Sequence, residues 1–522
     1  MATQVLIAGA GPTGLVLALW LSRLGIGVRI VDKAPEPGTT SRALAVQART
    51  LEMYQQVGLA RTLVETGLEF SAINVWVKGR KRGHAEVGRM GRGLSPFPYL
   101  LIYPQDEHER ALIALLEKEG VRVERGTELL GVENGDRSVR ARLRRADGAE
   151  DTCEAPWVAG CDGARSKVRD AIGAGFPGGT YAHLFYVADV EAAGPAVDGE
   201  LHVSFDRADF LAVFPLRGQG RARFIGIVQE RGEAREDLGW EDVHKSAVAT
   251  LGLDVRRVNW FSTYRVHHRV TNRFRVGRCF LLGDAAHIHS PVGGQGMNTG
   301  IGDAVNLSWK LAMVLRGQAD ESILDSYEEE RIAFARRLVS TTDRVFQLAT
   351  RTGPLADRAR TLAPLMISAL FRAPATRRIL FRIVSQIAIE YRAGALSAGR
   401  AGGVHGGDRL PWVQPQPGEP DNFAPLASLR WQVHVYGAAA PGLERACAAR
   451  DLPLHVFRFG TAARRAGVLR NALYLVRPDG YVALADPFAR AARLEQYFED
   501  RGLHPERPAA PGQEASRNTG RS

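Results

Sequence analysis

The chain has 522 residues, of which 45% are hydrophobic and 24% are charged, and this composition predicts a globular protein of two or three domains. The formal net charge is +11, but the basic residues are scattered and never form a run of five, so we expect no nucleic-acid partner. The four cysteines form no C-x-x-C pair, and no apolar stretch is long enough to span a membrane. We therefore expect a cytoplasmic protein with reduced cysteines.

A complete β-α-β unit is predicted at the start of the chain. Residues 4–8 (Q-V-L-I-A) have the continuous apolar character of a buried parallel strand. Residues 12–24 have helical spacing, and Gly25 ends the helix. Residues 28–31 predict a second strand, which leads into Asp32.

A glycine-rich turn joins the first strand to the helix. Its sequence, Gly9-Ala10-Gly11-Pro12-Thr13-Gly14, has the G-x-G-x-x-G spacing of a dinucleotide-binding site. In such a turn the first glycine permits a tight bend, the second lets a pyrophosphate approach the backbone, and the third lets helix and strand pack closely. The start of the helix then faces the phosphates, and Asp32 can accept hydrogen bonds from a ribose diol. The turn predicts a dinucleotide site without distinguishing FAD from NAD.

The middle of the chain changes from mixed helices and strands to alternating strands. We predict helices over 42–66 and 108–120, strands within 121–145, and a buried strand over 157–160. Residues 177–269 contain mostly alternating segments separated by turns. This alternation of apolar and polar residues predicts an antiparallel sheet inserted into the first domain.

The rest of the chain predicts a return to the first domain and then a third unit. Residues 280–284 have the character of a buried strand ending in glycine, and 298–315 predict a long helix. Residues 322–386 predict mainly helices. Residues 405–504 predict strands with one or two helices, and 505–522 are polar and predict a disordered tail.

A second motif follows the strand at 157–160. It runs from Gly160 to Arg169 (G-C-D-G-A-R-S-K-V-R) and opens a helix. Asp162 is either a simple helix N-cap or a residue near a bound dinucleotide. The downstream Arg165, Ser166 and Arg169 favour the second interpretation.

A third motif runs from Cys279 to His287 (C-F-L-L-G-D-A-A-H) and continues from Ser290 to Asn298 (S-P-V-G-G-Q-G-M-N). Asp284 follows a strand, where a carboxylate can accept hydrogen bonds from the ribityl hydroxyls of a flavin. The glycine run opens a helix whose N–H groups and dipole would stabilise negative charge on a reduced flavin. His287 and His289 form an H-x-H pattern, but no third and fourth ligands have fitting spacing, so we predict no metal site.

These three motifs, in this order, resemble the group A flavin monooxygenases, the family of para-hydroxybenzoate hydroxylase, over about residues 1–390. Ser41-Arg42-Ala43-Leu44, Tyr103-Pro104-Gln105-Asp106 and the L-x-x-Y-x-x-E-R segment from Leu324 to Arg331 also match that family. Residues 405–504 resemble the thioredoxin-like domain of its larger members, which include polyketide and phenol hydroxylases. Asp32 stands where glutamate is more usual, and this change keeps the hydrogen-bond acceptor.

The resemblance implies an α/β fold with a Rossmann-like FAD-binding domain (1–176 and 270–390), an inserted antiparallel-sheet substrate domain (177–269) and a thioredoxin-like domain (405–504). The FAD-binding residues that we predict are Gly9, Gly11, Pro12, Thr13, Gly14, Asp32, Lys33, Arg42, Gln105, Leu129, Asp162, Asp284, Pro291, Gly294, Gly296, Met297 and Asn298. Pro291 and Asp284 are also predicted to form the catalytic surroundings of the flavin. Phe205, Phe214 and Pro215 are predicted to line the substrate pocket.

The resemblance further implies a reaction. NADH or NADPH reduces FAD as a transient co-substrate, O2 adds at the flavin C4a position, and the hydroperoxide hydroxylates a bulky phenolic or polyketide-like ring, a chemistry typical of antibiotic biosynthesis. A Baeyer–Villiger oxygenase or epoxidase on the same scaffold remains open, as do a flavin dehydrogenase that does not use O2 and a flavoprotein that only sequesters a ligand. The loop from Pro291 to Asn298 resembles the oxygen-reacting wall and argues against the last two. The assembly is open, with a homodimer as one option.

Overall fold

The computed structural model describes residues 2–38, 43–206, 209–228, 238–243, 245–290, 294–350 and 371–505. Its strands are β1 (Val5–Ala8), β2 (Val28–Asp32), β3 (Ala45–Val46), β4 (Leu68–Glu69), β5 (Ala72–Val77), β6 (Arg80–Glu86), β7 (Leu101–Ile102), β8 (Val123–Arg125), β9 (Glu128–Asn134), β10 (Val139–Arg144), β11 (Glu150–Ala155), β12 (Trp157–Gly160), β13 (Gly178–Ala193), β14 (Leu201–Asp206), β15 (Asp209–Pro215), β16 (Arg221–Val228), β17 (Asp254–Val270), β18 (Arg275–Val276), β19 (Cys279–Leu281), β20 (His287–Ile288), β21 (Ala398–Ala401), β22 (Val404–His405), β23 (Gln432–Tyr436), β24 (Leu454–Phe457), β25 (Leu473–Val476) and β26 (Val482–Asp486). The α-helices are α1 (Pro12–Arg23), α2 (Ala48–Gln56), α3 (Ala60–Thr66), α4 (Gln105–Lys118), α5 (Lys167–Ala171), α6 (Ser246–Thr250), α7 (Gly296–Leu315), α8 (Asp325–Thr350), α9 (Pro374–Val384), α10 (Pro441–Ala449), α11 (Thr461–Arg465) and α12 (Ala491–Glu499).

A six-stranded sheet carries the predicted dinucleotide motifs. Its strand order is β18-β19-β12-β1-β2-β8, and all neighbours are parallel except β18 and β19. The runs V-L-I-A of β1 and W-V-A-G of β12 are buried throughout, as expected for central parallel strands covered on both faces. Helix α1 packs against α7 and α4. The carboxyl ends of β1, β2, β12 and β19 therefore meet at one edge of the sheet, and the predicted Rossmann-like fold is confirmed.

An eight-stranded sheet forms a second layer, with the order β20-β17-β13-β16-β15-β14-β5-β6. Every neighbouring pair is antiparallel except β14 and β5. The sheet extends beyond residues 177–269, because the hairpin of β5 and β6 pairs with the edge of β14 and covers its open hydrogen-bonding groups.

The prediction of one helix over 42–66 is wrong. Strand β3 pairs with β7 before the helical region begins, and the rest divides into α2 and α3. The break falls at Gly58, whose φ of +71° suits glycine and ends α2.

The C-terminal unit is built on a six-stranded sheet with the order β22-β21-β26-β25-β23-β24. β23 and β24 are parallel, whereas β25 pairs antiparallel with both β23 and β26. The sheet begins at Ala398, earlier than the predicted start at residue 405. The thioredoxin-like character of this unit stays a prediction, and the predicted tail lies, apart from Pro505, outside the described residues. No helix in the described ranges is long and apolar enough to cross a bilayer.

Candidate functional site

The glycine turn between β1 and α1 has two crowded positions and one open position. Gly9 has a φ of +100°, and a Cβ added there would collide with the carbonyl oxygen of Cys161. A Cβ on Gly14 would collide with the carbonyl oxygen of Gly9. A Cβ on Gly11 would meet no atom within 4 Å. The protein itself therefore requires glycine at positions 9 and 14, whereas the space beside Gly11 is open to a ligand.

Asp32 at the end of β2 holds this turn in place. Its Oδ2 accepts a hydrogen bond from the Ala10 N–H at 2.6 Å, and its Oδ1 accepts one from the Ala34 N–H at 2.8 Å. Arg125, the last residue of β8, lies 3.9 Å from the carboxylate. A carboxylate has about four acceptor positions, so Asp32 keeps capacity for a ribose hydroxyl. Lys33 follows on the surface.

The first residues of α1 pack against the third motif. Pro12 occupies the first helical position, where its missing N–H costs no hydrogen bond. A Cβ on Gly283 would lie 2.7 Å from Thr13 Oγ1, and one on Gly300 would collide with the same atom. Thr13 therefore joins the glycine turn to the turn after β19 and to α7.

The N-cap residue of α5 is Ser166, whose Oγ accepts from the Arg169 N–H at 3.0 Å, so the interpretation of Asp162 as a simple N-cap is wrong. Asp162 stands four residues earlier, and its Oδ2 accepts hydrogen bonds from the Lys167 N–H at 2.7 Å and the Val168 N–H at 3.2 Å. Its place near a bound dinucleotide stays a prediction. Its Oδ1 is buried and has no partner among the described residues. Burial raises the pKa of this carboxyl, although hydrogen bonds from Ser166 and the backbone oppose the shift. A buried, unpaired oxygen next to Gly9 is the feature expected where a ligand hydroxyl or a water completes the site.

Arg169 ties the second motif to the third. It is buried, and its Nη1 donates to the carbonyl of Ala285 at 3.1 Å while its Nη2 donates to the carbonyl of Ala164 at 2.9 Å. Its guanidinium also stacks 4.0 Å from the ring centre of Phe176. Arg169 thus has a structural role in fixing the relative position of two loops at the sheet edge.

The turn after β19 depends on a residue that the sequence analysis did not single out. Gly283 has a φ of +58°, and its N–H donates to Asp303 Oδ2 at 3.0 Å. Asp303 also accepts from His287 Nε2 at 2.7 Å and from Arg331 Nε at 2.6 Å. Burial opposes ionisation of Asp303, but Arg331 and His287 outweigh it and lower its pKa. The predicted Asp284 is exposed in the same turn.

Two buried polar groups directly after β20, in His289 and Ser290, have no hydrogen-bond partner among the described residues. His289 donates its Nδ1–H to the carbonyl of Ser290 at 2.8 Å, and this bond leaves Nε2 as a buried acceptor with no partner among the described residues. Burial lowers the pKa of His289 to about 4, so the ring is neutral at pH 7. Ser290 Oγ is also buried and unpaired. The predicted Pro291 follows directly but lies outside the described residues.

Helix α7 begins shortly after these two residues, and three predicted residues lie in its first turn, with a fourth, Gly294, just before the N-cap residue Gln295. Gly294 has a φ of +61°, and Gly296 and Met297 are half-buried at the helix start. Asn298 is fully buried and makes four hydrogen bonds. Its Oδ1 accepts from Gln47 N at 2.9 Å and Thr50 Oγ1 at 2.7 Å, and its Nδ2 donates to the carbonyls of Ala45 and Gly294, both at 2.9 Å. The Asn298 amide thus has all its hydrogen bonds within the protein, and a role for this residue in cofactor binding stays a prediction.

Gln105 and Glu109 of α4 hold the chain on both sides of residues 39–42. Gln105 Oε1 accepts from the Ala43 N–H at 3.3 Å, and its Nε2 donates to Glu109 Oε1 at 2.8 Å. Glu109 Oε2 accepts from the Gly38 N–H at 3.3 Å. The predicted Arg42 lies outside the described residues. Leu129 is buried in β9 within the main core, which is also the ordinary place for a leucine.

The predicted substrate residues lie in the eight-stranded sheet. Phe214 is half-buried in an apolar cluster that also contains Leu44 and Ile102 from the dinucleotide-binding part. Pro215 is buried at the end of β15, and Phe205 pairs with Phe210 across β14 and β15. The cluster therefore lies between the sheet and the chain segment that flanks residues 39–42.

Comparison with known proteins identifies the family. The FAD binding domain family matches residues 2–342. The 6-methylpretetramide 4-monooxygenase of Streptomyces rimosus is 35% identical over 98% of this chain and 95% of its own length. The chain belongs to this family of FAD-dependent aromatic monooxygenases.

Two further similarities agree with this assignment. The pentachlorophenol 4-monooxygenase of Sphingobium chlorophenolicum is 33% identical to this monooxygenase. The match covers 78% of the present chain and 75% of the Sphingobium protein. The solved structure of the OxyS anhydrotetracycline hydroxylase from Streptomyces rimosus superposes with a TM-score of 0.79 at 28% identity, covering 98% of this chain and 100% of that one.

The residues of this monooxygenase fit an FAD. The open space beside Gly11 and the start of α1 suit the pyrophosphate. The unpaired buried atoms Asp162 Oδ1, His289 Nε2 and Ser290 Oγ are those that a bound cofactor or its waters would satisfy. Within the described ranges, no group of three or more His, Cys, Asp or Glu residues could hold a metal ion.

Proposed function

We propose that this monooxygenase uses NADH or NADPH and O2 to hydroxylate a bulky phenolic or polyketide-like aromatic ring. One oxygen atom of O2 enters the ring, the other leaves as water, and the nicotinamide supplies the two electrons that this balance requires. The observation that carries the proposal is the 35% identity to 6-methylpretetramide 4-monooxygenase over 98% of the chain. FAD, when bound, supplies the electron transfer and the oxygen activation, for which we propose the C4a-hydroperoxide route of the resembling family.

The chain's own residues bind the cofactor and shape its surroundings. The proposal assigns the pyrophosphate to the backbone beside Gly11 and the ribose to Asp32, in agreement with the open space and the free acceptor capacity there. Asp303 holds the turn at Gly283 through a 3.0 Å hydrogen bond. The neutral His289 adds no positive charge to the loop before α7.

The substrate side is apolar. Phe214 is half-buried and packs against the buried Leu44 and Ile102, and we propose that this apolar part of the sheet contacts the aromatic ring of the substrate. Exclusion of water protects a reactive oxygen donor from decay. This arrangement supports a bulky, largely apolar substrate better than a small acid.

The experiment measures NADH and NADPH oxidation and O2 uptake by the FAD-loaded protein with a panel of monocyclic and tetracyclic phenols. We expect the rate of NADH or NADPH oxidation to rise at least tenfold with some of the phenols. Each of these phenols should give a product that is heavier than the phenol by one oxygen atom. If NADH or NADPH instead reduces an artificial electron acceptor through the FAD, at a rate that depends on neither an aromatic compound nor O2, the result would support a dehydrogenase. A ring-expanded ester or an epoxide as product would support the alternatives on the same scaffold.

A further inference from the structure

A cavity of about 460 Å³ lies where the FAD-binding part meets the C-terminal unit. Its lining comes from three stretches: residues 92–94, residues 378–392 in and after α9, and residues 403–466 of the C-terminal unit. None of the lining residues belongs to the glycine turn, to the second motif (160–169) or to the third motif (279–298). Cavities of this size at domain boundaries are typical places for small-molecule binding.

The lining has a strong excess of positive charge. Six arginines line the cavity, namely Arg92, Arg378, Arg382, Arg392, Arg409 and Arg465, against two carboxylates, Glu390 and Asp408. Both carboxylates are occupied by Arg392, which lies 2.6 Å from Asp408 and 3.1 Å from Glu390. Arg409 is paired with Glu52 at 2.6 Å, outside the lining.

The other four arginines are uncompensated. Over the ranges that the structure describes, the side chains of Arg92, Arg378, Arg382 and Arg465 make no hydrogen bond or ion pair, and all four are exposed. They belong to a loop, to α9 and to α11, so three separate elements direct unpaired guanidinium groups to one cavity. Guanidinium groups match the geometry of phosphate oxygens, and several of them around one space favour a ligand with more than one negative charge.

The cavity also has an aromatic and apolar side. Trp412 is half-buried in the lining, and its Nε1–H donates to Asp421 Oδ1 at 3.1 Å, which fixes the indole ring. The buried Ile387 and Val404 line the cavity as well. A tryptophan beside phosphate-binding groups suits the base of a nucleotide, because bases stack on aromatic rings whatever their sequence.

We propose that this cavity binds a nucleoside polyphosphate, with the phosphates on the four unpaired arginines and the base against Trp412. The site is separate from the FAD site and does not depend on the proposed reaction. Inorganic pyrophosphate shares the phosphate chemistry but lacks the base, so the two kinds of ligand can be told apart.

The test is calorimetric titration of the FAD-loaded holoenzyme, in which the dinucleotide site is already filled, with ADP, ATP and pyrophosphate. We expect ADP and ATP to bind, and binding to weaken steeply between low and high salt. The double variant Arg378→Glu/Arg382→Glu should lose at least tenfold in affinity. Arg465→Glu, which changes a lining residue of α11, should also weaken binding, and it keeps the test valid if the α9 variant misfolds. Arg336→Glu, an exposed arginine of α8 outside the cavity, is the matched control and should bind as the wild type does.

A further variant separates the base from the phosphates. Trp412→Ala should weaken ADP and ATP at least fivefold and leave pyrophosphate unchanged. Pyrophosphate binding as tight as ATP, with neither affected by Trp412→Ala, would overturn the nucleotide assignment. Absence of binding by all three probes, or binding that the cavity variants and Arg336→Glu affect equally, would overturn the site itself.

Discussion

Gly11 and Gly14 belong to one motif, but the packing of the protein requires glycine only at position 14. A Cβ on Gly14 collides with the Gly9 carbonyl, so the protein needs that glycine in order to pack. A Cβ on Gly11 meets nothing within 4 Å, and the residue has an ordinary φ of −75°. Among the described residues nothing requires glycine at position 11, and a ligand beside the backbone would account for it.

Alanine at each position should therefore have a different effect. Gly14→Ala should destabilise the apoprotein by about 1–3 kcal/mol, the usual cost of overpacking, and lower its Tm. Gly11→Ala should leave the apoprotein Tm unchanged and weaken FAD binding at least tenfold. Thermal unfolding of the apoproteins and fluorescence titration with FAD measure both effects. Equal FAD affinity of Gly11→Ala and the wild type would contradict the placement of the pyrophosphate.

Asp303 gives a second prediction at the level of single residues. Asp303→Asn leaves the buried Arg331 without its anion, so we expect a loss of about 3–5 kcal/mol in the free energy of unfolding and weaker FAD binding. The pKa of Asp303 is lowered in the folded protein, so its contribution is present above the unfolded pKa of about 4 and is lost as the pH falls further. Denaturant unfolding at several pH values tests this.

A matched control is Asp325→Asn, which removes the partner of Arg275 on the surface. An exposed pair of this kind contributes at most about 1 kcal/mol. Similar losses for the two variants, or a loss for Asp303→Asn that is the same at pH 3 and pH 7, would show that Asp303 is not the ionised anchor of the turn.

The sequence indicated part of this site and missed another part. Gly9, Gly11, Gly14 and Asp32 could be predicted because their roles depend on one local β-α-β unit. Asp303 could not, because its role depends on Gly283 and Arg331, which only the fold brings to it. The available signal was a carboxylate in a helix that is otherwise largely apolar.

Helix α7 illustrates how an element organises the site. Its first turn is joined to the segment before α2 through Asn298, which bonds to Ala45, Gln47, Thr50 and Gly294. The start of the helix is therefore fixed by a segment about 250 residues away in the chain. Neither segment could be assigned this role from its own sequence.

Replacement of Asn298 by alanine should loosen the start of α7. The Gln47 N–H and the carbonyls of Ala45 and Gly294 lose their partner, so we expect a loss of about 2–4 kcal/mol in stability and at least tenfold weaker FAD binding. Denaturant unfolding and FAD titration provide the measurements. Asn259→Ala, an exposed position of β17, serves as the control and should change neither. An unchanged FAD affinity in Asn298→Ala would mean that the start of α7 does not support the cofactor.

The elements themselves were predictable to different degrees. The strands at 157–160 and the first β-α-β unit agree with the structure to within a residue, because continuous apolar runs and glycines mark their ends. The region 42–66 was wrongly predicted as one helix. Its apolar spacing is helical throughout, and the pairing of β3 with β7 is a tertiary contact that spacing does not show.

At the scale of the whole molecule, a buried charged network joins the FAD-binding part to the C-terminal unit. Arg477 donates to Glu330 through both Nη atoms, at 2.6 and 3.0 Å, and also contacts Asp479. Glu330 in addition accepts from Lys310 at 2.9 Å and Asn306 at 2.7 Å. Burial opposes ionisation of Glu330, but Arg477 and Lys310 outweigh it and hold its pKa well below the ordinary value. This network makes the two parts depend on each other for stability.

Removal of one charged side chain from this network should lower the free energy of unfolding strongly. Removal of both members of an ion pair should lower it less. Glu330→Gln leaves the buried Lys310 without its anion and leaves Arg477 with Asp479 alone, and we expect a loss of about 3–5 kcal/mol. Adding Lys310→Met to this variant should recover part of the loss, whereas removal of Arg477 would leave the buried Asp479 without its cation. Thermal unfolding of the two variants tests this, with Glu329→Gln, the exposed neighbour, as control. A double variant that is less stable than Glu330→Gln by the full cost of Lys310→Met alone would show that Glu330 and Lys310 act independently.

The architecture as a whole could be predicted only in outline. The motifs indicated a dinucleotide fold with an inserted sheet, and the structure has both. The hairpin of β5 and β6 joins that sheet from an earlier part of the chain, and the C-terminal sheet begins at Ala398. Such long-range strand pairing depends on which edges are left open after the rest has folded, and local sequence does not record it.

The central claim, that the chain is an aromatic monooxygenase, is tested most directly by isotope labelling. The FAD-loaded enzyme is supplied with NADH or NADPH and the phenol that stimulates its turnover, under ¹⁸O2 in ordinary water, and the product is analysed by mass spectrometry. We expect one ¹⁸O atom in the product for each nicotinamide oxidised in coupled turnover. A product that takes its oxygen from water, or an oxidised product with no added oxygen, would contradict it.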